Sequence, residues 1–540
     1  MYNTLLSLLK DSFQKYTDRT IYKDEKGSIS FGQLDTISGL VASFTAEKMR
    51  KLYGCDPLRH PVVVMTGRNI YTPACYIGVA RAGCFYAPCD AALPEKRLNQ
   101  ILGVIDAPFM IVDRDFYDKV RKLDFNGEIC IYEDILAGSG DAAAEGSERK
   151  EPGAYSDKNV DRRLLEEISE KIVDTDPLYV IFTSGSTGVP KGVITSHYSL
   201  MCYLDGVNEV LRLGEDDVIG NQSPLDYIAA IRDMYLPHIS GARTYIIPNN
   251  EFAMPALLFE TLRREKVTTL CWSAAGVEMA ARMGGFSLNI PLALKKVIFS
   301  GSVISGKYLS IWQKNLPDAV FINQYGPTEA TASCTYYVIH EEVKEDTVLP
   351  IGVPYRHYRV FLLSVDENAD NATEVTGDRK LVTEPGTTGE ICIAGPALAL
   401  GYYANPEKTA RSFVQNPLNS SYRDLIYMTG DLGRYSGDGK LEFLGRSDRQ
   451  VKHLGHRIEL DEIEITAGGI DGVTECCSLY DKNKELLYLF YTGEATAKEI
   501  AIYFRENMPA FMVPRRIKQL DEMPKLPNSK KDMASLRAMM

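Results

Sequence analysis

The sequence predicts a mixed α/β protein made of a large N-terminal region and a small C-terminal α+β domain. Three observations carry this. The chain has 540 residues, more than one compact domain ordinarily holds. Between about residues 30 and 110, strand-like runs such as PVVVM (Pro61–Met65) alternate with helical stretches, the pattern of an α/β sheet. Near residues 446–449 the strand-like KLEFLG gives way to QVKHLGHRIELDEIE and a tail of short amphipathic elements. The division falls at 1–446 and 447–540, and the second piece is within ordinary domain sizes.

The elements follow in order. MYNTLLSLLKDSFQKY places apolar residues at helical spacing with charges between them. It reads as an amphipathic first helix and not a signal peptide, because it lacks a long apolar centre and a cleavage site. Residues 137–161 include GSGDAAAEGSERKEPGAYSDKN, small and polar, which predicts an exposed insertion. Strand and helix patterns resume over 195–321, and no internal repeat stands out. Composition is that of a globular chain, 45% hydrophobic and 24% charged, with net charge -12. That balance argues against a nucleic-acid surface, and no apolar run is long enough to span a bilayer. The 11 cysteines are scattered without CxxC pairs, and the 7 histidines lack metal-ligand spacing. Reduced thiols in a cytoplasmic protein are expected.

The stretch YVIFTSGSTGVPKG carries the most information. Val180, Ile181 and Phe182 read as a buried strand. Thr183, Ser184, Gly185, Ser186, Thr187 and Gly188 follow, then Pro190 and Lys191. Glycines let successive backbone N–H groups converge on an anion, hydroxyls add donors, and Lys191 adds charge. A triphosphate asks for this set. The spacing is not that of a Walker loop, since Pro190 stands where glycine should precede the lysine.

The stretch resembles the signature loop of the adenylate-forming superfamily. Five further segments resemble it in the same order: NQYGPTE, GEICIAGPALALGYY, YMTGDL, GRSDRQVKHLGHRIELDEIE and PNSKKD. The resemblance covers nearly the whole chain. It implies an adenylation core of layered sheets and helices over 1–446, and a mobile lid at 447–540 carrying the catalytic lysine.

It also implies roles. ATP and Mg²⁺ are the expected cofactors. Thr183, Lys191 and Lys530 are the expected catalytic residues. Lys530 bridges the substrate carboxylate and the α-phosphate, with Lys531 its confusable neighbour. Ser184, Gly185, Ser186, Thr187 and Gly188 hold phosphates; Gly301, Gln324, Tyr325, Gly326 and Thr328 line the nucleotide. Asp431 accepts the ribose hydroxyls and Arg446 contacts the nucleotide. Glu329 is a hard oxygen ligand for the metal. Asp448 is the hinge. Rotation there withdraws Lys530 and brings the segment around Gly455 to the site. In PNSKKD, Ser529 replaces the family's glycine.

Within the superfamily the chain looks most like freestanding amino-acid adenylation enzymes, the D-alanine–carrier-protein ligases and nonribosomal peptide synthetase adenylation domains. The Tyr-Gly-Pro-Thr-Glu form, GHRIELDEIE and PAFMVP carry that likeness. The substrate ammonium then needs a carboxylate, and Asp226 in SPLDY is the candidate. Two extra residues precede Gly241 and Ala242, however, and Asp226 is equally readable as the N-cap of a helix starting at Tyr227. The other pocket positions are Cys271, Ile298, Ser300, Gln324, Ala332 and Ser333, mostly small or polar, which favours a small or polar amino acid. No carrier segment follows Lys530 in this sequence, so a separate phosphopantetheine carrier protein is the expected acceptor. Free coenzyme A, as in acyl- or aryl-CoA ligases, is the alternative.

Overall fold

The computed structural model describes residues 2–54, 58–138, 155–185, 187–287, 290–365, 379–525 and 531–540. Ser186 and Lys530 therefore lie outside the described residues, as does most of the predicted insertion. The architecture is mixed α/β, with layered sheets and helices in a large N-terminal part and a smaller C-terminal part.

The predicted first helix spans Leu5–Lys15 and begins with a capping box between Thr4 and Ser7. Leu5, Leu6, Leu8, Leu9 and Phe13 recur every three to four positions and face the core. Each fully buried leucine is worth about 1.5–3 kcal/mol. The next helix, Phe31–Tyr53, packs tightly on Tyr71–Arg81. A Cβ on Gly78 would fall 2.6 Å from Val41, so glycine sets that close approach.

Two sheets make the N-terminal layers. In one, the strands run Gly401–Tyr402, Lys191–Ser196, Pro177–Thr183, Phe85–Pro88, Pro61–Met65, Phe109–Val112 and Glu128–Ile131. In the other, Thr335–Ile339, Val320–Tyr325, Lys296–Ser300, Thr269–Ser273, Val218–Asn221 and Arg243–Ile246 form the middle. The inner strands of both are buried on both faces, which explains their continuous apolar runs. A third sheet contains Gly389–Ala394, Leu425–Tyr435 and Leu441–Arg446.

Beyond Arg446 the pairing changes. Gln450–His453 and His456–Glu459 form a hairpin of their own. Val473–Asp481, Leu486–Gly493 and Arg516–Gln519 form another small sheet. Ile458, Ile463, Leu489, Ile500 and Phe504 close a separate core around them. Asp448 lies between Leu441–Arg446 and the hairpin.

Two expectations need correction. The helix after SPLDY begins at Ala230, with Ala229 at its N-cap and no side-chain cap, so Asp226 caps nothing. The chain turns between Pro224 and Tyr227 first. At the far end of the predicted insertion, Val160 is buried, and Asp161 caps helix Arg162–Ser169 through the Leu164 N–H. That end is part of the packed fold. Of the cysteines, the ten described are all buried. Among the described residues, no helix is long and apolar enough to cross a membrane.

Candidate functional site

Pro177–Thr183 and Lys191–Ser196 pair antiparallel, with Thr183 opposite Lys191. The Ser/Gly loop is the turn between them. It curls so tightly that a Cβ on Gly185 would lie 2.0 Å from the Val189 carbonyl oxygen, and the Gly188 N–H donates to the Gly185 carbonyl at 2.9 Å. Gly188 has φ +78°, open to glycine at little cost. Among the described residues the buried Thr183 hydroxyl has no hydrogen-bond partner, and it stands beside Lys191. Thr187 is exposed.

The C-terminal part closes over this loop. Ser184 Oγ donates to the Arg457 carbonyl at 2.6 Å, and the Gly185 N–H donates to Glu462 Oε2 at 3.3 Å. Glu462 is anchored in turn by Arg97 at 2.7 Å. Tyr227 Oη donates to the Gly455 carbonyl at 3.1 Å, so the segment around Gly455 faces the site. Lys531 pairs with Glu464 at 2.8 Å and donates to the Cys476 carbonyl. Glu462 and Glu464 lie two residues apart on helix Leu460–Gly468, about 200° around its axis. Lys531 is thus held on the side of that helix away from the loop.

Lys191 and Glu329 meet at the centre. Lys191 Nζ lies 3.6 Å from Glu329 Oε1 and 3.8 Å from Glu459 Oε1. Burial, reinforced by neighbouring Arg457, brings its ammonium down to about 8 against the pull of both glutamates. Glu329 is fully buried. Tyr402 Oη donates to its Oε1 and Arg457 Nη1 to its Oε2, each at 2.7 Å. Burial alone would push this carboxyl up, but Arg457 and then Lys191 hold it far below the usual range, and it is ionised. A metal on Glu329 needs an ionised oxygen donor, which this residue supplies, and Mg²⁺ commonly takes one or two carboxylates plus phosphate oxygens. Arg457 holds one of those oxygens here.

The expected nucleotide residues converge beside this pair. Tyr325 ends strand Val320–Tyr325 and its hydroxyl donates to Asp431. Arg446 also pairs with Asp431 and grips both oxygens of Asp448 at 2.6 Å. The expected ribose ligand, nucleotide arginine and hinge are therefore one linked set. Thr328 is buried beside Glu329. Gly326 admits no side chain: a Cβ would lie 2.6 Å from the Ser333 backbone. Gly301 has φ +94° and faces Gly455. Lys452 of the hairpin lies 5.3 Å from the Tyr325 ring centroid. A cavity of about 50 Å³ remains between Gly301, Asn323, Tyr325, Phe443 and Lys452.

Strand alternation separates the two halves of the site. Tyr325 projects to one face of its strand and Gln324 to the other. Register aligns Cys271 with Ile298 and Ile298 with Ile322, so Ser300 and Gln324, two residues farther on, share their face. Ser333 Oγ lies 3.4 Å from Gln324 Oε1, and Ala332 takes a left-handed φ of +74° next to it. The predicted pocket positions are thus brought together. Asp226 is partly covered, and burial together with Asp90 raises its carboxyl to about 7.

Three residues of the cleft escape a reading of the sequence. Arg457 and Lys452 lie inside a resembling segment, where nothing local sets them apart. Arg232 is the third: it is buried, and donates to Gln324 Oε1 at 2.7 Å and to the Cys271 carbonyl at 3.0 Å. The available signal is an Arg-Asp pair within an otherwise apolar helix, AIRDMYLPHIS.

Residues 9–403 match the family described as AMP-binding enzyme. Tyrocidine synthase 3 of Brevibacillus parabrevis is 30% identical over 538 residues, covering 98% of this chain and 8% of that protein. The chain thus spans only a small part of that relative's length. Among solved structures, the Vibrio cholerae adenylation domain AlmE, in complex with glycyl-adenosine-5'-phosphate, superposes with TM-score 0.80 at 20% identity, covering 100% of this chain and 98% of that one. Holo-PA1221, an NRPS protein containing adenylation and PCP domains, superposes with TM-score 0.74 at 20% identity, covering 99% of this chain and 84% of that one. With the Ser/Gly loop, the buried Lys191–Glu329 pair and the Tyr325–Asp431–Arg446 set in one cleft, and with this match over most of the sequence, the chain belongs to the AMP-binding family of adenylate-forming enzymes.

Proposed function

We propose that this enzyme activates an amino acid as its aminoacyl adenylate and passes the acyl group to the phosphopantetheine thiol of a separate carrier protein. The observation that carries this reading is the neighbourhood of one sheet edge. Tyr325 meets the nucleotide residues Asp431 and Arg446 on one face, while Gln324 points to the other face, where Arg232 donates to it. A carboxylate held on the pocket side would attack the α-phosphorus and pyrophosphate would leave.

Two anions must meet, so the work is positioning and charge neutralisation. Lys191, Thr183 and the loop 184–188 receive the β- and γ-phosphates. Glu329 is the residue for Mg²⁺, which when bound neutralises phosphate charge. Lys530 bridges the carboxylate and α-phosphate. Asp226 receives the substrate ammonium; its partial burial and its lack of a capping role support that assignment. Residues 1–446 and 447–540 act as core and lid, turning at Asp448. The observed arrangement, with Gly455 over the site and Lys531 turned away, fits the second step, in which the thiol attacks the adenylate and AMP leaves. The carrier as acceptor is supported by PCP domains in a structural neighbour. Free coenzyme A is the second reading.

ATP–pyrophosphate exchange over D- and L-amino acids and aliphatic and aryl acids tests the first step, with Lys530→Ala as control. Strong exchange with one amino acid, lost in the variant, is expected. Exchange confined to acids without an amino group would overturn the Asp226 assignment and favour a CoA ligase.

A further inference from the structure

Arg232 is the buried charge that the reaction above leaves without a task. It reaches the pocket from helix Ala230–Ser240, whose next residue, Asp233, is fully buried as well. Its two terminal nitrogens are spent on neutral acceptors, Gln324 Oε1 and the Cys271 carbonyl. The only carboxylate it meets among the described residues is Asp233, single-pronged, at 3.5 Å from Nε. A guanidinium matches a carboxylate best through two parallel bonds, and this one makes none.

Asp233 is also shared. Its other oxygen accepts from Asn221 at 2.8 Å, and Asn221 accepts in turn from Arg68 at 2.7 Å. Arg68 is itself largely inside, donating to the Ser223 carbonyl at 2.6 Å. This connected cluster therefore holds two guanidiniums, with Asp233 between them and Asp226 at its edge. If Asp226 takes the substrate ammonium, one buried positive charge is left over. Buried charges are paired or costly.

The surrounding hydroxyls point the same way. The buried Tyr203 hydroxyl lies against Ser333 and makes no other hydrogen bond among the described residues. Tyr355 Oη already accepts from Gln324 Nε2 at 2.5 Å, which leaves its proton to give. Donors outnumber acceptors at this end of the pocket, and an anion is what such a set receives.

We propose that the amino acid this enzyme activates has an acidic side chain, whose carboxylate is received by Arg232 at the floor of the pocket. The proposal rests on the amino-acid-activating reading and deepens it. Asp226 and Arg232 then divide the labour: one holds the ammonium near the reacting carboxylate, the other fixes the far end. Entry of the substrate exchanges the Gln324 and Cys271 contacts of Arg232 for the stronger charged ones.

The test is ATP–pyrophosphate exchange with the full chain over D- and L-aspartate and glutamate, asparagine, glutamine, glycine, alanine, serine, succinate and glutarate. One acidic amino acid should exceed its own amide by about a hundredfold or more, because a site built around a charged donor is left unpaired by a neutral isostere. Arg232→Met should close that gap, and Arg232→Lys should restore part of it. AMP binding and the thermal midpoint of each variant report whether it is folded. The wild-type comparison stands even if Arg232→Met does not fold. A wild-type preference for glycine, alanine, serine or an amide overturns the proposal and makes Arg232 a plug that shortens the pocket, with amino-acid activation intact. Exchange with no acid of the panel overturns the proposal alone, and exchange with the diacids alone overturns the amino-acid reading itself and the proposal with it.

Discussion

Arg457→Met removes a buried ion pair between the hairpin and the N-terminal part. Arg457 Nη1 lies 2.7 Å from Glu329 Oε2, with side-chain exposures of 12% and 0%. The gross attraction at that distance is about 6 kcal/mol for an effective dielectric near 20. Deleting one partner of a buried pair costs about 3–5 kcal/mol, because the other charge stays buried. Lys191 remains 3.6 Å from the second oxygen and offsets part of the loss. The expected cost is therefore near the low end, about 3 kcal/mol, or roughly 150-fold in the balance between docked and undocked hairpin. Amide hydrogen exchange over residues 450–459 and 183–191 reads this directly. Both segments should lose protection together, since Ser184 and Gly185 bond to the same C-terminal elements. Equal protection in wild type and variant would refute the reasoning, and would mean that apolar packing and not this ion pair holds the hairpin down.

Two pH effects follow from the same cluster. Lys191, with its ammonium near 8, loses its charge as pH rises through that value, so kcat/KM for ATP should fall above about pH 8, well below the range of a free lysine. Arg457→Met removes a neighbouring cation and should move that fall upward; a wild-type profile still flat near pH 10 would sink the assignment. Asp226 is neutral below about 7 and anionic above it, so kcat/KM for the amino acid should rise with pH up to about 7. Asp90→Asn should move this limb to lower pH and Asp226→Asn should abolish it; a limb that survives in Asp226→Asn belongs to another group.

The loop 183–191 was legible because its constraints are local. A strand, a glycine that tolerates no Cβ and a lysine opposite Thr183 are all readable within thirteen residues. The expected pocket residues come from resemblance alone, because Cys271, Ile298 and Gln324 lie on three strands joined by register and not by sequence. The capping reading of Asp226 fails for a related reason: Asp followed by a helical pattern signals a cap, yet a turn intervenes and the helix starts four residues later. Arg232 went unread because a charge in an apolar helix is ordinarily placed on its solvated face. Here tertiary contacts with Gln324 and Cys271 hold it inside.

Glu329 links these results. On the proposed reading it is needed twice, as a phosphate-side metal ligand in the first step and as the anchor of Arg457 in the observed arrangement. One carboxylate cannot serve both fully, because Arg457 holds Oε2 while Tyr402 and Lys191 share Oε1. Whatever Mg²⁺·ATP gains from Glu329 must then be taken from hairpin docking, and by linkage docking must weaken Mg²⁺·ATP binding by the same factor. Such exclusion orders the two steps without any further device. On this reading the hairpin would dock only while Glu329 holds no other partner at Oε2. Arg457→Met uncouples the two, so adding Mg²⁺·ATP should raise hairpin exchange in the wild type and leave it nearly unchanged in the variant. Equal responses in both would place the coupling elsewhere, at the Asp431–Arg446–Asp448 set.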